Sequence, residues 1–153
     1  MKKITITCIA ITLVFLQACA YFDTNISLCN INSQKNITFQ MRYRQAHIQD
    51  IERLENYDYR SLSDAEYKIK VNEMRKRVAI ENKYKGIVSE MSDSDRLLMK
   101  TVSIDYDAYN LKGDPLSLFP FDVEEEAFQS AKTFYTMMRE KGYACDELVS
   151  DQR

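Results

Sequence analysis

Apolar and polar residues alternate in two separate segments of this 153-residue chain, and that alternation restricts the fold more than any other pattern in it. Residues 37–44 read Ile-Thr-Phe-Gln-Met-Arg-Tyr-Arg, and residues 102–108 read Val-Ser-Ile-Asp-Tyr-Asp-Ala. Strict alternation is typical of a strand with one buried face and one solvated face. Residues 116–121 add a possible third strand, which Pro120 confines to a sheet edge because proline has no N–H to donate.

Helix signals lie between and after these strands. Ser63 and Glu66 form a capping box, and the apolar stripe that follows predicts a helix from 64 to about 85. Residues 122–125 form a helix cap of the same kind. It predicts a helix that runs to about Lys141, with Ala127, Ala131, Phe134 and Met138 on one face.

Two shorter helices are predicted from weaker patterns. Ile48, Ile51 and Leu54 recur at three-residue spacing, which suggests a helix over 45–56. Residues 92–95 read Ser-Asp-Ser-Asp, which favours a cap before another short helix. The sum predicts an α+β domain, with a small antiparallel sheet of two or three strands covered by three or four helices. A helical bundle is the alternative.

The first residues of the chain have the character of an export signal. Lys2 and Lys3 precede an apolar run, Ile4 to Phe15, which is too short to cross a bilayer as a helix. Leu16-Gln-Ala-Cys19 then resembles the lipobox of bacterial lipoproteins, in which a branched apolar residue and a small residue precede a cysteine.

That resemblance implies a lipid anchor. The Cys19 thiol would take a diacylglyceryl group, and residues 1–18 would be removed as a signal peptide. Ala20 after the cysteine then implies the outer membrane, with the protein facing the periplasm. Residues 19–35 would form a short tether and 36–153 a single globular domain. Ordinary cleavage after Ala20 is the alternative.

Export also restricts the four cysteines of the chain. Cys8 is lost with the signal, and Cys19 is either lipidated or removed. Cys29 and Cys145 are left under either cleavage, and an oxidising compartment favours a disulfide between them. Two buried free thiols are the alternative. Such a bond would tie the beginning of the mature domain to its end.

Composition excludes several classes of function. The signal peptide contains Lys2 and Lys3 but no acidic residue, so its removal leaves the mature chain more acidic than the full chain, whose net charge is −2. Because no basic stripe is present, nucleic acid is not an expected partner. No phosphate loop or metal motif occurs, so no cofactor is predicted.

Candidate catalytic groups are few, and we assign no catalytic or metal-binding residue. His47, the one histidine, could contact Asp50 if both lay on one helix. Asp105 and Asp107 would share the outer face of a strand at a spacing that a two-acid hydrolase could use, although solvated strand faces commonly look like this.

Tyr57, Tyr59 and Tyr67 surround one connection and form a possible partner surface, since tyrosine buries a large area at low entropic cost. The sequence therefore predicts a non-enzymatic, lipid-anchored module that binds or supports an envelope protein or peptidoglycan. One alternative is an immunity or inhibitor lipoprotein directed against a toxin or hydrolase. A second is a cell-wall hydrolase that uses acidic residues.

Overall fold

A computed structural model describes residues 25–31, 34–109, 114–119, 128 and 130–148. The described part is a six-stranded antiparallel sheet with two helices. In chain order the elements are β1 (Asn25–Ile31), β2 (Gln34–Arg44), β3 (His47–Asp58), α1 (Asp64–Glu81), β4 (Ile87–Ser94), β5 (Leu97–Ile104), α2 (Ala131–Glu140) and β6 (Ala144–Cys145). The strand order across the sheet is β4-β5-β3-β2-β1-β6.

The predicted fold class is wrong, both as a two- or three-stranded sheet under three or four helices and as a helical bundle. The six strands together contain more residues than the two helices, so the sheet dominates the fold. Two of the segments predicted as short helices are instead paired strands and their turns. The physical reasons lie in a β-bulge and in two tight hairpins.

The bulge lies in β3, where Gln49 has no partner on β2. One extra residue in a strand shifts the alternation by one position. Ile48 and Ile51 are therefore both buried on one face although they are three residues apart. A spacing of three residues is close to the period of a helix, and it led to the helix prediction over 45–56. That prediction is wrong, because these residues belong to β3 and to the turn before it. Leu54 lies on the opposite face, between neighbours on β2 and β5.

Both hairpins turn through two residues with positive φ. Gln45 and Ala46, at 48° and 66°, join β2 to β3, while Asp95 and Arg96, at 51° and 64°, join β4 to β5. Positive φ at both central positions defines the type I′ turn, whose twist matches that of paired strands. The helix cap predicted at 92–95 is therefore wrong, because these residues end β4 and begin a turn.

The longer helices agree better with the prediction. The Ser63–Glu66 capping box is present, with the Ser63 N–H donating to Glu66 Oε2 at 3.0 Å. α1 ends at Glu81, about four residues earlier than predicted. α2 begins after Ser130, whose side chain accepts from the Thr133 N–H, and ends before Gly142 as predicted. The predicted start at 122–125 and Ala127 lie outside the described residues.

The remaining strand predictions hold in part. β2 contains the alternating segment 37–44, and β5 contains the first half of 102–108. β5 ends at Ile104, and residues 105–108 continue into a turn in which the Tyr109 N–H donates to the Asp105 carbonyl. Residues 116–119 form no strand, and 120–121 lie outside the described part. β1 falls within the predicted tether of 19–35, and the predicted domain boundary at 36 lies inside β2.

Both helices cover the same face of the sheet. Phe134 and Met138 of α2 are fully buried in the main apolar core, which also contains Phe39 and Met41 of β2. α1 packs over β4 and β5 with a much smaller apolar cluster around Val71 and Leu98. The half of the covered face beneath α1 therefore relies on polar contacts as well.

No helix of the described residues covers the other face of the sheet. Its centre is polar, because Arg42 pairs with Asp50 at 2.7 Å and with Glu52 at 3.1 Å, and Gln40 also donates to Glu52. Cross-strand pairs of this kind are ordinary on a solvated strand face.

Candidate functional site

A group of charged side chains lies buried between α1 and the sheet, and we call Arg53, Glu55, Arg77, Glu81 and Lys100 the buried charge cluster. Glu55 on β3 and Lys100 on β5 are directly opposed, and both are fully buried. Lys100 Nζ lies 3.0 Å from Glu55 Oε1 and 2.7 Å from Glu81 Oε1. A single ammonium thus joins two strands to the last turn of the helix.

Each carboxylate oxygen in the cluster has a donor. Glu55 Oε2 accepts from the Tyr57 hydroxyl at 2.5 Å, and Glu81 Oε2 accepts from Ser89 Oγ at 2.6 Å. Arg53 Nε lies 3.0 Å from Glu55 Oε1, as an ion pair whose alignment does not make a hydrogen bond. Burial of the two carboxylates is tolerated because each of their oxygens has a partner.

Arg77 closes the cluster on the solvent side. Its Nε donates to Glu81 Oε1 at 3.0 Å, and its two terminal nitrogens lie 3.4 Å from the carboxylate of Glu55. The Arg77 side chain is 41% exposed, whereas Glu55 and Glu81 are nearly inaccessible. The guanidinium therefore lies between the two acids and water.

The pKa values of two cluster residues follow from these contacts. Burial raises the pKa of the Glu55 carboxyl, but the charge of Arg53, the Tyr57 hydroxyl and the Lys100 ammonium outweigh burial, so the pKa lies below its usual value. Burial and the hydrogen bond to Glu55 raise the pKa of Tyr57 to about 12. Glu55 is therefore held ionised and Tyr57 neutral.

The chemistry open to the buried charge cluster is limited by these same contacts. A general acid or base must reach a substrate proton within hydrogen-bond distance. The acids of the cluster are buried, and their oxygens are occupied by donors of the chain itself. The arrangement fixes the position of α1 on the sheet.

The three tyrosines predicted as a partner surface do come together. Tyr57 and Tyr59 stack with ring centroids 5.8 Å apart, and all three contact the small apolar cluster under α1. The Tyr67 hydroxyl donates to Asp93. The guanidinium carbon of Arg96 lies over the Tyr67 ring, 5.4 Å from the ring centroid. Each is half-buried. Whether they bind a partner stays a prediction.

The carboxylates considered for hydrolysis do not converge on one pocket. Asp105 Oδ1 accepts from the N–H groups of Asp107 and Ala108, so Asp105 serves as the cap of a turn. Asp105 lines a shallow depression on the open face of the sheet, and Asp107 does not. The prediction that Asp105 and Asp107 share one face of a strand is wrong, because β5 ends at Ile104.

His47 lies in the β2–β3 hairpin, exposed, and the helix expected to bring it to Asp50 is absent there. Asp50 pairs instead with Arg42. Among the described residues, no group of three or more histidine, cysteine or acidic side chains could hold a metal ion.

Cys29 and Cys145 form a disulfide in the structure, with their Cα atoms 4.0 Å apart on directly opposed positions of β1 and β6. β6 contains two residues, and the bond therefore holds it at the edge of the sheet. Cys19 lies outside the described residues. No helix within the described part is long and apolar enough to span a membrane.

A groove lies between one flank of α1 and the edge strand β4, and we call it the α1–β4 groove. It has a volume of about 390 Å³ and is lined by Tyr67, Lys68, Val71, Asn72, Arg75 and Asp93. Lys68 and Arg75 are exposed and form no ion pair within the described part of the chain. Asp93 accepts from the Tyr67 hydroxyl. The groove is therefore open, and its two cations outnumber the one carboxylate in its lining.

Sequence reasoning missed both the buried charge cluster and the groove. One signal for the cluster was present: Lys100 falls in phase with Leu98, Val102 and Ile104, on the buried face of β5. A lysine in phase with apolar residues indicates a buried partner. Its partner Glu55 lies within residues 45–56, for which the sequence predicts a helix. The pairing of Glu55 with Lys100 across two strands is therefore not evident from the sequence.

No protein-family model matches this chain, and no curated protein matches it. Among solved structures, it is similar to one described as an NMR structure of a protein from Streptococcus pneumoniae TIGR4. The two share 13% sequence identity at a TM-score of 0.52, over 80% of this chain and 85% of the other. Similarity at this level shows a shared fold and nothing about activity.

Proposed function

We propose that this protein is a non-enzymatic, lipid-anchored module of the bacterial envelope that binds another envelope protein at the α1–β4 groove. The observation that carries the proposal is the contrast between two groups of charges under and beside one helix. The charges between α1 and the sheet are paired within the chain, whereas Lys68 and Arg75 on its flank are exposed and without an ion pair among the described residues.

The strand order also supports a binding site at the α1–β4 groove, away from the proposed lipid anchor. β1 begins six residues after Cys19, and six residues reach at most about 20 Å. A lipid on Cys19 would therefore keep the β1–β6 end of the sheet close to the membrane. β4 is at the opposite end of the strand order. The groove would then lie on the side of the domain that is farther from the anchor.

A test of the anchor uses Cys19→Ser. Serine cannot form the thioether, so the variant should accumulate as an uncleaved or soluble precursor, whereas the wild-type protein should partition with detergent and carry acyl mass. A mature wild-type protein found in the aqueous phase without acyl mass would refute the lipobox interpretation.

A test of the groove places a photocrosslinking amino acid at position 72 in the full-length protein in cells. Asn72 lines the groove, and Ile69, an exposed residue of α1 outside the lining, is the matched control position. We expect one discrete protein adduct from position 72 and none from 69. If the adduct is a toxin or a hydrolase, the protein is an inhibitor lipoprotein. Equal or absent adducts at the two positions would contradict binding at the groove.

A further inference from the structure

We infer that the partner binds as an added β-strand along the outer edge of β4, through an extended segment with acidic side chains at alternate positions. This inference rests on the proposed binding function and specifies how the partner is recognised. It follows from which backbone groups of β4 face outward, from what already occupies some of them, and from the charges beside the rest.

The hydrogen bonding of β4 shows which residues face its neighbour. The Asp105 N–H donates to the Gly86 carbonyl at 2.8 Å, and the hairpin to β5 closes between Ser94 and Leu97. In an antiparallel pair the backbone groups of successive residues alternate between the neighbour and the outside. Even-numbered residues of β4 therefore bond to β5, and the odd-numbered residues present N–H and C=O groups at the edge.

The side chain of Asn82 already bonds to the outward backbone groups of one β4 residue, Ser89. Its side-chain amide donates to the Ser89 carbonyl at 2.8 Å and accepts from the Ser89 N–H at 2.7 Å, as a paired strand would. The Ile87 N–H is bound by the Tyr84 carbonyl at 3.2 Å. The first half of the edge is thereby blocked. This is one of the ways in which proteins protect an exposed edge strand.

The second half of the edge is not occupied by any residue that the structure describes. No group in the described part of the chain occupies the outward N–H and C=O of Met91 or of Asp93. These four groups lie beside the α1–β4 groove, of which Asp93 forms part. An extended segment inserted here would bond to β4 and have α1 along its flank. Addition of a strand to a free edge is a general mode of peptide recognition.

The surrounding charges select the side chains of the added segment. In a strand, alternate side chains point to the same face. Those directed toward α1 would meet Lys68 and Arg75, whose two positive charges exceed the one negative charge of Asp93 in the same groove, and this balance favours Asp or Glu. Those directed to the open face would pass Glu90, an exposed residue of β4 on that face, which disfavours acids there. The favoured partner segment therefore has acidic residues at every second position.

The test uses the full mature protein and three synthetic peptides of about eight residues. The first carries Asp at alternate positions between Thr and Val, the second has Lys in place of Asp, and the third is the first with N-methyl groups on alternate amides. We expect the Asp peptide to bind at least tenfold more tightly than the other two and to slow hydrogen exchange at Met91 and Asp93. Equal binding of the three, or binding of none, would overturn the inference.

A matched pair of variants isolates the backbone contribution. Asp93→Pro removes the outward N–H without removing a bond to β5, whereas Asp93→Ala removes the same carboxylate and keeps the N–H. We expect Asp93→Pro to bind the peptide at least tenfold more weakly than Asp93→Ala, because both variants lack the carboxylate and only the proline lacks the outward N–H. Equal affinities of the two variants would overturn strand addition. If Asp93→Pro does not fold, the N-methylated peptide provides the same comparison.

Crosslinking separates this inference from the proposed function. If position 72 captures a partner in cells and Asp93→Pro abolishes that capture while Asp93→Ala does not, strand addition is supported. Capture that survives Asp93→Pro would leave the groove as the binding site and refute the added strand. Absence of capture in the unaltered protein would refute the binding function itself.

Discussion

Lys100 and Glu55 are directly opposed on neighbouring strands, with Lys100 Nζ 3.0 Å from Glu55 Oε1 and both side chains excluded from solvent. Glu81, from the last turn of α1, lies 2.7 Å from the same ammonium. The attachment of α1 to the sheet therefore depends on a buried lysine as well as on a small apolar cluster.

Replacement of Lys100 by methionine should destabilise the protein strongly. The substitution keeps much of the side-chain volume but leaves Glu55 and Glu81 without the ammonium between them, and breaking a buried pair costs about 3–5 kcal/mol. Urea denaturation would measure the free energy of unfolding. Lys70→Met is the control, because Lys70 pairs with Glu73 on the exposed surface of α1, where solvent screens the pair and its loss should change stability little. Similar losses in the two variants would contradict the structural role of Lys100.

Acid should destabilise the protein through Glu55. Its pKa lies below the usual value of 4.5, so the folded state binds a proton less readily than the unfolded chain. The stabilisation is fully present above the unfolded pKa and is lost as the pH falls below it, through the lower folded pKa. Unfolding free energies of the wild type should therefore decline with acid more steeply than those of Glu55→Gln. Parallel pH dependence in the two proteins would argue against an ionised Glu55.

Substitution of Gly86 by alanine should be poorly tolerated. Gly86 has φ +80°, and a Cβ at this position would lie 2.5 Å from the Tyr109 nitrogen and 2.8 Å from the Asp105 carbonyl oxygen. Both are backbone atoms, which cannot move aside as a side chain can. We expect a loss of at least about 1–3 kcal/mol from the backbone conformation alone. Lys85→Ala, at the adjacent exposed residue, should change stability by less than about 0.5 kcal/mol. A stable Gly86→Ala protein would indicate that the turn after β5 can move.

The disulfide should contribute through the unfolded chain. Cys29 and Cys145 are 116 residues apart in sequence, and closing a loop of that size is worth roughly 4–5 kcal/mol in the chain-entropy model. Either single serine variant should therefore lower the melting temperature markedly, and the double variant should be little worse than either. Mass spectrometry of the non-reduced mature protein gives the direct measurement. Two free thiols after growth with a working oxidation pathway would show that the bond does not form in the cell.

The sequence by itself determined the features that depend on neighbours along the chain. The capping box at Ser63 and Glu66, the alternation within β2 and the glycine after α2 each reflect contacts within a few residues, so local patterns were enough to locate them. The pairing of Cys29 with Cys145 was predicted on a different basis, because the predicted export signal would leave two thiols and therefore one possible bond.

Only the tertiary structure decided the sheet and the sites that lie on it. Gln49 has no partner because of how β2 and β3 pair, and this bulge converts the spacing of Ile48 and Ile51 into a helix-like period. The hairpins at Gln45 and Asp95 place non-glycine residues at positive φ, which no local pattern indicated. The buried charges on β3, β5 and α1, and the free half of the β4 edge, exist only once distant segments are packed. Their energies depend on burial and strand register, which are properties of the folded molecule rather than of neighbouring residues in the chain.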